Sequence, residues 1–301
     1  MKRKVLVTGG AGFIGSHIVD ALVARGDHVI VYDSLVAGMG HVNKNAYFIH
    51  ADVRDRERLR DAARGVDTIF HLAALPRVQH TIDEPEATFH TNVVGTLNVL
   101  EVARLEHVRR VVFSSSGAIY GNQEQVPFVE TMPEQSQSPY GTHKFIGEKL
   151  MHQYAWLYGV QTVCLRYFNV YGPRLDPNGA YALVVGAFLR MIKEGKPLSI
   201  TGDGTQTRDF VHVEDIARAN LLAADAESVG KGEIINIGNG IETSINELAA
   251  LFAHPIEYIP ARLEPKRALA DSSRARTLLG WESLITLPEG IAQLRKEWEL
   301  T

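Results

Sequence analysis

The stretch Thr8-Gly9-Gly10-Ala11-Gly12-Phe13-Ile14-Gly15 constrains this chain more than any other. It follows an apolar run, Val5-Leu6-Val7, that reads as a β-strand. It opens a segment over 13–25 with apolar residues at Ile14, Ile18, Ala21 and Leu22, which is helical spacing. A strand, a glycine-rich turn and a helix, in that order, bind the pyrophosphate of a dinucleotide. Glycine lets the backbone turn tightly and approach phosphate without a Cβ in the way. The helix N-terminus then offers free N–H groups and a partial positive charge to the anion. The spacing Gly9-x-x-Gly12-x-x-Gly15 departs from the usual G-x-G-x-x-G, and a plain turn before a buried helix is the alternative. Asp33 weighs against that alternative. It follows a second strand, predicted over 28–32, and its carboxylate can bind both hydroxyls of an adenosine ribose. The same carboxylate would repel a 2′-phosphate, so NAD is favoured over NADP.

Strand-like and helix-like segments alternate through the first half. Strands are predicted over 5–8, 28–32, 47–50, 68–71, 111–114 and 162–165, with helices between them, notably over 85–107 and 140–158. This alternation predicts an α/β fold with a Rossmann-like, doubly wound parallel sheet. Ligands of such sheets bind beyond the carboxyl ends of the strands, where Gly9, Asp33, Asp52, Ala73 and Ser116 cluster. Past residue 170 the pattern loosens. Pro173, Pro177 and Gly179 mark a loop. A helix is predicted over 181–193 and short strands over 198–201 and 207–211, with further elements over 234–237, 245–252 and 284–298. A dinucleotide-binding domain over 1–170 and a smaller α/β lobe over 171–301 are expected, with segments free to cross between them.

Composition narrows the partners. Of 301 residues, 45% are apolar and 22% charged, as in a soluble globular protein. The formal net charge is −4 and no basic stripe stands out, which argues against nucleic acid. No apolar run reaches membrane-spanning length. Cys164 is the single cysteine, so no intrachain disulfide forms; its apolar run reads as a buried thiol, which fits a reducing compartment. The basic start resembles the first region of a signal peptide. The first strand and the glycine turn follow at once, however, so cleavage would destroy the fold, and a cytoplasmic protein is expected. Twelve histidines are scattered without a convincing ligand set, and no metal is expected.

The second signal is Tyr140-Gly-Thr-His-Lys144. A Tyr and a Lys four residues apart share one side of a helix. A neighbouring ammonium, with the positive nicotinamide of NAD nearby, would favour tyrosinate, and such a phenol can act as a base near neutral pH. An amphipathic helix with an exposed pair is the alternative. His143, inside the motif, is expected to face elsewhere and lie on the surface. Upstream, Phe113-Ser114-Ser115-Ser116-Gly117-Ala118-Ile119-Tyr120-Gly121 ends a strand. A hydroxyl there can bond the substrate oxygen that the tyrosine addresses, although a serine-rich turn alone is often only a loop.

With these motifs the chain resembles the extended short-chain dehydrogenase/reductases, and within them the NAD-dependent nucleotide-sugar epimerases of the UDP-galactose/UDP-glucose type. The resemblance runs nearly end to end. It includes Ala51-Asp52-Val53, His71-Leu72-Ala73-Ala74, Asn92-Val-Val-Gly95, Leu165-Arg166-Tyr167-Phe168-Asn169-Val170-Tyr171-Gly172, Arg208-Asp209-Phe210-Val211-His212-Val213 and Ala270-Asp271. It implies that Gly9, Gly12, Phe13 and Ile14 cradle the pyrophosphate and Asp33 holds the ribose. Asp52 and Val53 would meet adenine, with a helix N-cap as the other role open to Asp52. Leu72, Ala73 and Ala74 would line the cofactor, Asn92 would lie beneath it, and Tyr167 would pack near the nicotinamide. Ser116 and Tyr140 would address the sugar hydroxyl. Lys144 would bind the nicotinamide ribose and lower the tyrosine pKa. Asn169 and Arg208 would bind the substrate diphosphate, a role that suits the arginine fork; a surface ion pair with Asp209 is the alternative for Arg208. A second arginine is expected before Ala270-Asp271, with Arg262 preferred and Arg267 open.

The resemblance also bears on the reaction. Dehydratases of this kind carry an Asp-Glu pair after the serine or threonine of the turn, and decarboxylases a glutamate at the second position. Here those positions are Gly117 and Ala118. Reversible C4 epimerisation of a UDP-sugar with tightly bound NAD is therefore expected, with Ala268 as a small residue that leaves room for a 2-acetamido group. A uronate epimerase, a 4,6-dehydratase and a non-catalytic NAD sensor are the competing readings; sensors usually lack the tyrosine or lysine. By the same resemblance, the helices over 85–107 and 140–158 are expected to form a homodimer interface.

Overall fold

Along Lys4–Thr8 (β1), Val5 and Val7 enter one buried cluster and Leu6 another. A strand buried on both faces needs a layer of helices on each. A computed structural model of the chain, describing residues 2–36, 40–175, 184–261 and 265–300, has both layers. After β1 come α1 (Phe13–Arg25), β2 (His28–Asp33), β3 (Tyr47–His50), α2 (Arg56–Ala63), β4 (Thr68–His71), α3 (Val78–Asp83) and α4 (Pro85–Phe89). A π-helical turn (His90–Val94) leads into α5 (Gly95–Leu105), β5 (Arg110–Ser116), a 3-10 turn (Gly117–Ile119), α6 (Pro139–Tyr158) and β6 (Gln161–Tyr167). The rest comprises β7 (Val170–Tyr171), α7 (Val184–Lys193), β8 (Leu198–Thr201), β9 (Thr207–Asp209), β10 (Val211–His212), α8 (Val213–Asp225) and β11 (Lys231–Ile237). It closes with β12 (Glu242–Ser244), α9 (Ile245–Phe252), β13 (Ile256–Ile259), α10 (Ser273–Leu279) and α11 (Leu287–Glu297).

The main sheet has seven strands in the order β11-β6-β5-β4-β1-β2-β3, parallel throughout. The order reverses between β1 and β4, which opens a crevice at the carboxyl ends. Residues of α1 and α8 such as Ile18, Leu22 and Ile216 join the cluster on one face; Leu59, Leu100 and Met151 of α2, α5 and α6 join the other. Each such side chain contributes roughly 1.5–3 kcal/mol of burial. The first cluster continues into the C-terminal segments through Phe188, Leu198, Leu248 and Trp281.

Local chemistry sets the helix that matters most. The Ser138 hydroxyl accepts the Gly141 N–H and Pro139 occupies the first position of α6, while Gly159 ends it at φ 70°. Gly147 lets α6 lie close on β5, since a Cβ there would stand 2.5 Å from Phe113 Cζ.

The fold is the predicted doubly wound sheet, and several elements differ in detail. The helix expected over 85–107 widens at His90–Val94 into a π turn, which hydrophobic spacing does not signal. The strand expected over 207–211 splits at Phe210, because β9 pairs with β12 and β10 with β7. The last helix begins at Leu287, where Thr286 and Glu289 form a capping box. The start of the helix expected over 181–193 lies outside the described residues; α7 covers the remainder. Past residue 170 the chain returns to the main sheet as β11 beside β6. Among the described residues no helix is long and apolar enough to cross a membrane.

Candidate active site

The crevice holds a cavity of about 680 Å³, inside the roughly 300–1,000 Å³ range of small-molecule sites. Gly9, Gly12, Phe13, Ile14, Asp33, Asp52, Val53, Leu72, Ala73 and Ala74 all line it. Only glycine builds this turn. Gly9 has φ 70°, and a Cβ there would stand 2.6 Å from the Ala73 nitrogen; at Gly15 it would stand 2.1 Å from the Gly9 oxygen. The Asp33 carboxylate is fixed on the rim, with Oδ2 accepting the Ala11 N–H at 3.0 Å and Oδ1 the Leu35 N–H at 2.8 Å. A glycine turn at a helix start, a fixed carboxylate and apolar walls fit a dinucleotide.

Asp52 is not the helix cap that its position before the 54–64 segment left open. Asp55 caps α2 by accepting the Arg58 N–H at 3.0 Å. Asp52 instead pairs with Arg54 at 2.7 Å, and that hydrogen-bonded guanidinium lowers the carboxyl pKa. Asn92 does not line the cavity. Buried in the π turn, it accepts the Leu75 N–H at 2.7 Å and donates to the Leu75 carbonyl at 3.0 Å, and so pins the loop that carries Leu72 to Ala74.

Ser116, Tyr140 and Lys144 meet where β5 ends under the first turns of α6. Lys144 is 4% exposed; its Nζ donates to the Ser114 carbonyl at 2.7 Å and lies 5.8 Å from the centre of the Tyr140 ring. Ser114 lines the cavity, whereas Tyr140, Lys144 and Tyr167 do not. The Ser116 hydroxyl accepts the Ala118 N–H at 3.1 Å. Burial pushes Tyr140 up to about 12, against the opposing effect of the Ser116 hydroxyl. Burial pulls Lys144 down to about 7, against the charge of Glu148. The expected lowering of the tyrosine pKa belongs to the site with NAD beside the phenol; in the chain alone burial sets the direction of the shift. The Tyr167 hydroxyl donates to Asn220 Oδ1 at 3.0 Å, and burial raises its pKa.

The other predicted positions lie toward the C-terminal segments. Asn169 Nδ2 donates to the Asp209 carbonyl at 3.1 Å. Arg208, on β9, donates to the Thr207 and Pro265 carbonyls at 2.7 and 2.9 Å. The Asp209 carboxylate takes the backbone N–H groups of Asn239, Gly240 and Ala270 rather than its neighbouring guanidinium, and burial pushes it up to about 6. Arg262 lies outside the described residues. Arg267 forms a fork on Glu242, with both contacts at 2.6 Å. Ala268 is half-buried beside Tyr120, Phe128 and Phe168.

His143 corrects an expectation. It is buried, not on the surface, with its ring edge-on to Phe89 and Nδ1 3.3 Å from Asn92 Nδ2. The π turn packs against α6 and covers it. Cys164 is buried, and burial pushes its thiol up, as its apolar run predicts. Sequence reasoning missed Glu148. It accepts the Ser115 hydroxyl at 2.6 Å and pairs with Arg166 at 2.7 Å, both partners buried, beneath the lysine. Its spacing was a usable signal: Tyr140, Lys144 and Glu148 fall on one helical stripe. His71 was also missed; it bridges the Thr8 and Thr96 hydroxyls at 2.7 and 2.9 Å.

With this geometry in hand, four likenesses bear on the site. The model of the NAD dependent epimerase/dehydratase family matches residues 5–238. The UDP-glucose 4-epimerase of Mycolicibacterium smegmatis is 39% identical over 305 residues, covering 96% of each chain. The crystal structure of Thermotoga maritima UDP-glucose 4-epimerase with UDP-glucose superposes with a TM-score of 0.91 at 39% identity, over 98% of this chain and 99% of that one. The UDP-N-acetylglucosamine 4-epimerase of Methanobrevibacter ruminantium, in complex with UDP-N-acetylmuramic acid, has a TM-score of 0.91 at 33% identity, over 99% and 100% of the two chains.

Proposed function

This chain belongs to the NAD dependent epimerase/dehydratase family, and from that premise we propose that it interconverts UDP-galactose and UDP-glucose at C4, and UDP-GalNAc and UDP-GlcNAc beside them. The observation that carries this reading is the turn Ser116-Gly117-Ala118. No carboxylate follows the serine, and a Cβ at Gly117 would already stand 3.3 Å from the Phe168 ring. Nothing at these two positions can move a proton for dehydration, so the sugar carbon is oxidised and restored.

NAD, when bound, supplies a reversible acceptor for the C4 hydride and a positive charge beside the phenol. The residues then have separate tasks. With that charge beside it, Tyr140 as the phenolate takes the proton of the C4 hydroxyl and returns it, while the Ser116 hydroxyl holds the same oxygen. Lys144 as an ammonium offsets charge on the phenolate, and the phenolate in turn favours the ammonium against the burial that pulls this amine down to about 7. Asn169 and Arg208, with Arg262, hold the diphosphate so that the sugar can turn without leaving. Ala268, without a large side chain, leaves room for the acetamido group.

In this division of labour residues 1–170 serve the dinucleotide and 171–301 the nucleotide sugar, with α8 and β11 crossing back to the sheet. The working unit is a homodimer built on the 85–105 run and α6. Exposed apolar side chains support this: Phe89 and Leu97 on the first, Trp156 (78% exposed) and Leu157 on the second. Proton NMR of the purified protein with UDP-galactose, without added NAD, tests the reading. UDP-glucose is the expected product. A spectrum that stays unchanged after NAD is added overturns it.

A further inference from the structure

We propose that Asp20 is a positioning residue for cofactor retention: its carboxylate clasps two distant chain segments over the glycine turn and so sets how slowly the dinucleotide leaves. The inference rests on the reading that the cavity holds NAD.

The glycine turn forms only one wall of that cavity. A second wall is Leu35, Val36, Gly40 and His41, after β2; a third is Arg174 and Leu175, after β7. Among their described residues both outer walls are irregular backbone outside the β-ladders, so other contacts must hold them. Asp20 sits on α1 and reaches each with a different oxygen. Oδ1 accepts Asn43 Nδ2 at 2.6 Å and Oδ2 accepts an Arg174 guanidinium nitrogen at 2.5 Å. The Asn43 amide is oriented for this, because its own oxygen accepts the Asn45 N–H at 2.9 Å.

Two further ties reinforce the clasp. His17, one turn earlier on the same helix face, meets the Pro173 carbonyl through Nε2 at 2.9 Å. A carbonyl only accepts, so Nε2 carries the proton; burial lowers the ring's pKa, and one neutral tautomer suffices. The His41 N–H donates to the Ala11 carbonyl at 2.8 Å. Arg174 also holds a left-handed backbone, φ 66°, that a non-glycine residue keeps only when its surroundings impose it.

The Asp20 and Arg174 side chains are 37% and 30% exposed, and a pair so placed adds little to global stability. Its consequence is local: the walls cannot part without breaking it. Retention and folding therefore separate experimentally. Wild type, Asp20→Ala, Asp20→Asn and Arg174→Ala would be purified and their bound NAD quantified after denaturation. The release rate would be followed by exchange against an excess of a fluorescent NAD analogue, and the thermal midpoint of the stripped proteins recorded. Glu106→Ala, which cuts the exposed pair with Arg60, serves as the surface control.

Asp20→Ala and Arg174→Ala are expected to release NAD about tenfold faster, the scale of one charge-assisted hydrogen bond. Asp20→Asn should fall between them and wild type, since it keeps an acceptor for Asn43. The stripped proteins should melt together. Wild-type release rates in both Asp20→Ala and Arg174→Ala overturn the inference while the cofactor reading stands. A wild-type protein that neither retains nor binds NAD overturns both.

Discussion

On the dinucleotide side, the residues that form the site lie at the ends of neighbouring strands β1, β2 and β4, and the turn works through its backbone. Toward the sugar side, Asn169 follows β6, Arg208 lies on β9 and Ala268 precedes α10, so the proposed contacts are side chains gathered from separate segments. Tyr140 and Lys144 stand between, on one helix. The first region tolerates no substitution at Gly9 and Gly15, because backbone meets backbone there. The second can change side chain by side chain without disturbing the sheet. This difference suits a protein that keeps one cofactor and adjusts to a sugar.

The comparison predicts a graded set of effects. The largest falls on Gly15. A Cβ there meets the Gly9 carbonyl at 2.1 Å and Gly10 Cα at 2.8 Å, and neither can yield. Gly15→Ala should cost about 3 kcal/mol or more and abolish NAD retention, read by thermal melting and bound-nucleotide assay. A stable, NAD-loaded variant would break the backbone account of this half.

Tyr140→Phe comes next. It should lower kcat by about a thousandfold, within the span of lost acid–base catalysis, while bound NAD remains at the wild-type level. Loss of both together would mean that the helix serves the cofactor rather than the sugar.

Arg208→Ala should act on the other side of the divide. KM for the UDP-sugar should rise roughly 10- to 100-fold, as for one or two charged hydrogen bonds, with NAD content unchanged. An unchanged KM would remove Arg208 from the diphosphate site.

The smallest effect is a pH dependence. Folded Lys144 sits near 7 against an ordinary 10.5. Between those values the unfolded chain binds the extra proton, so this residue makes stability rise with pH. Over pH 7 to 9 (below the titration of Tyr140) Lys144→Met should flatten that rise by a few degrees of thermal midpoint. A wild-type midpoint that falls over this window would place the ammonium in better surroundings than its burial implies.

How far the chain can be read without coordinates follows the same divide. The glycine turn, Asp33 and the strands could be read because backbone geometry and strand periodicity are local properties. The π turn could not, since a single widened turn of five residues is too short to leave a period of its own. His143 was misplaced for the same reason: its burial comes from a neighbouring helix, not from its own. Glu148 was legible as a stripe but not as a buried pair, because Arg166 reaches it from another strand.

The amino-acid order alone determined the doubly wound sheet, the glycine turn with its acid, and the Tyr140–Lys144 stripe beside a serine turn without acids. Those features depend on contacts within a few residues or on a simple period. Only the tertiary structure decided the burial of that stripe, the inward turn of Asp209, the work of Asn92 on Leu75 and the clasp at Asp20. Each depends on desolvation or on partners distant in sequence, and no local pattern encodes either.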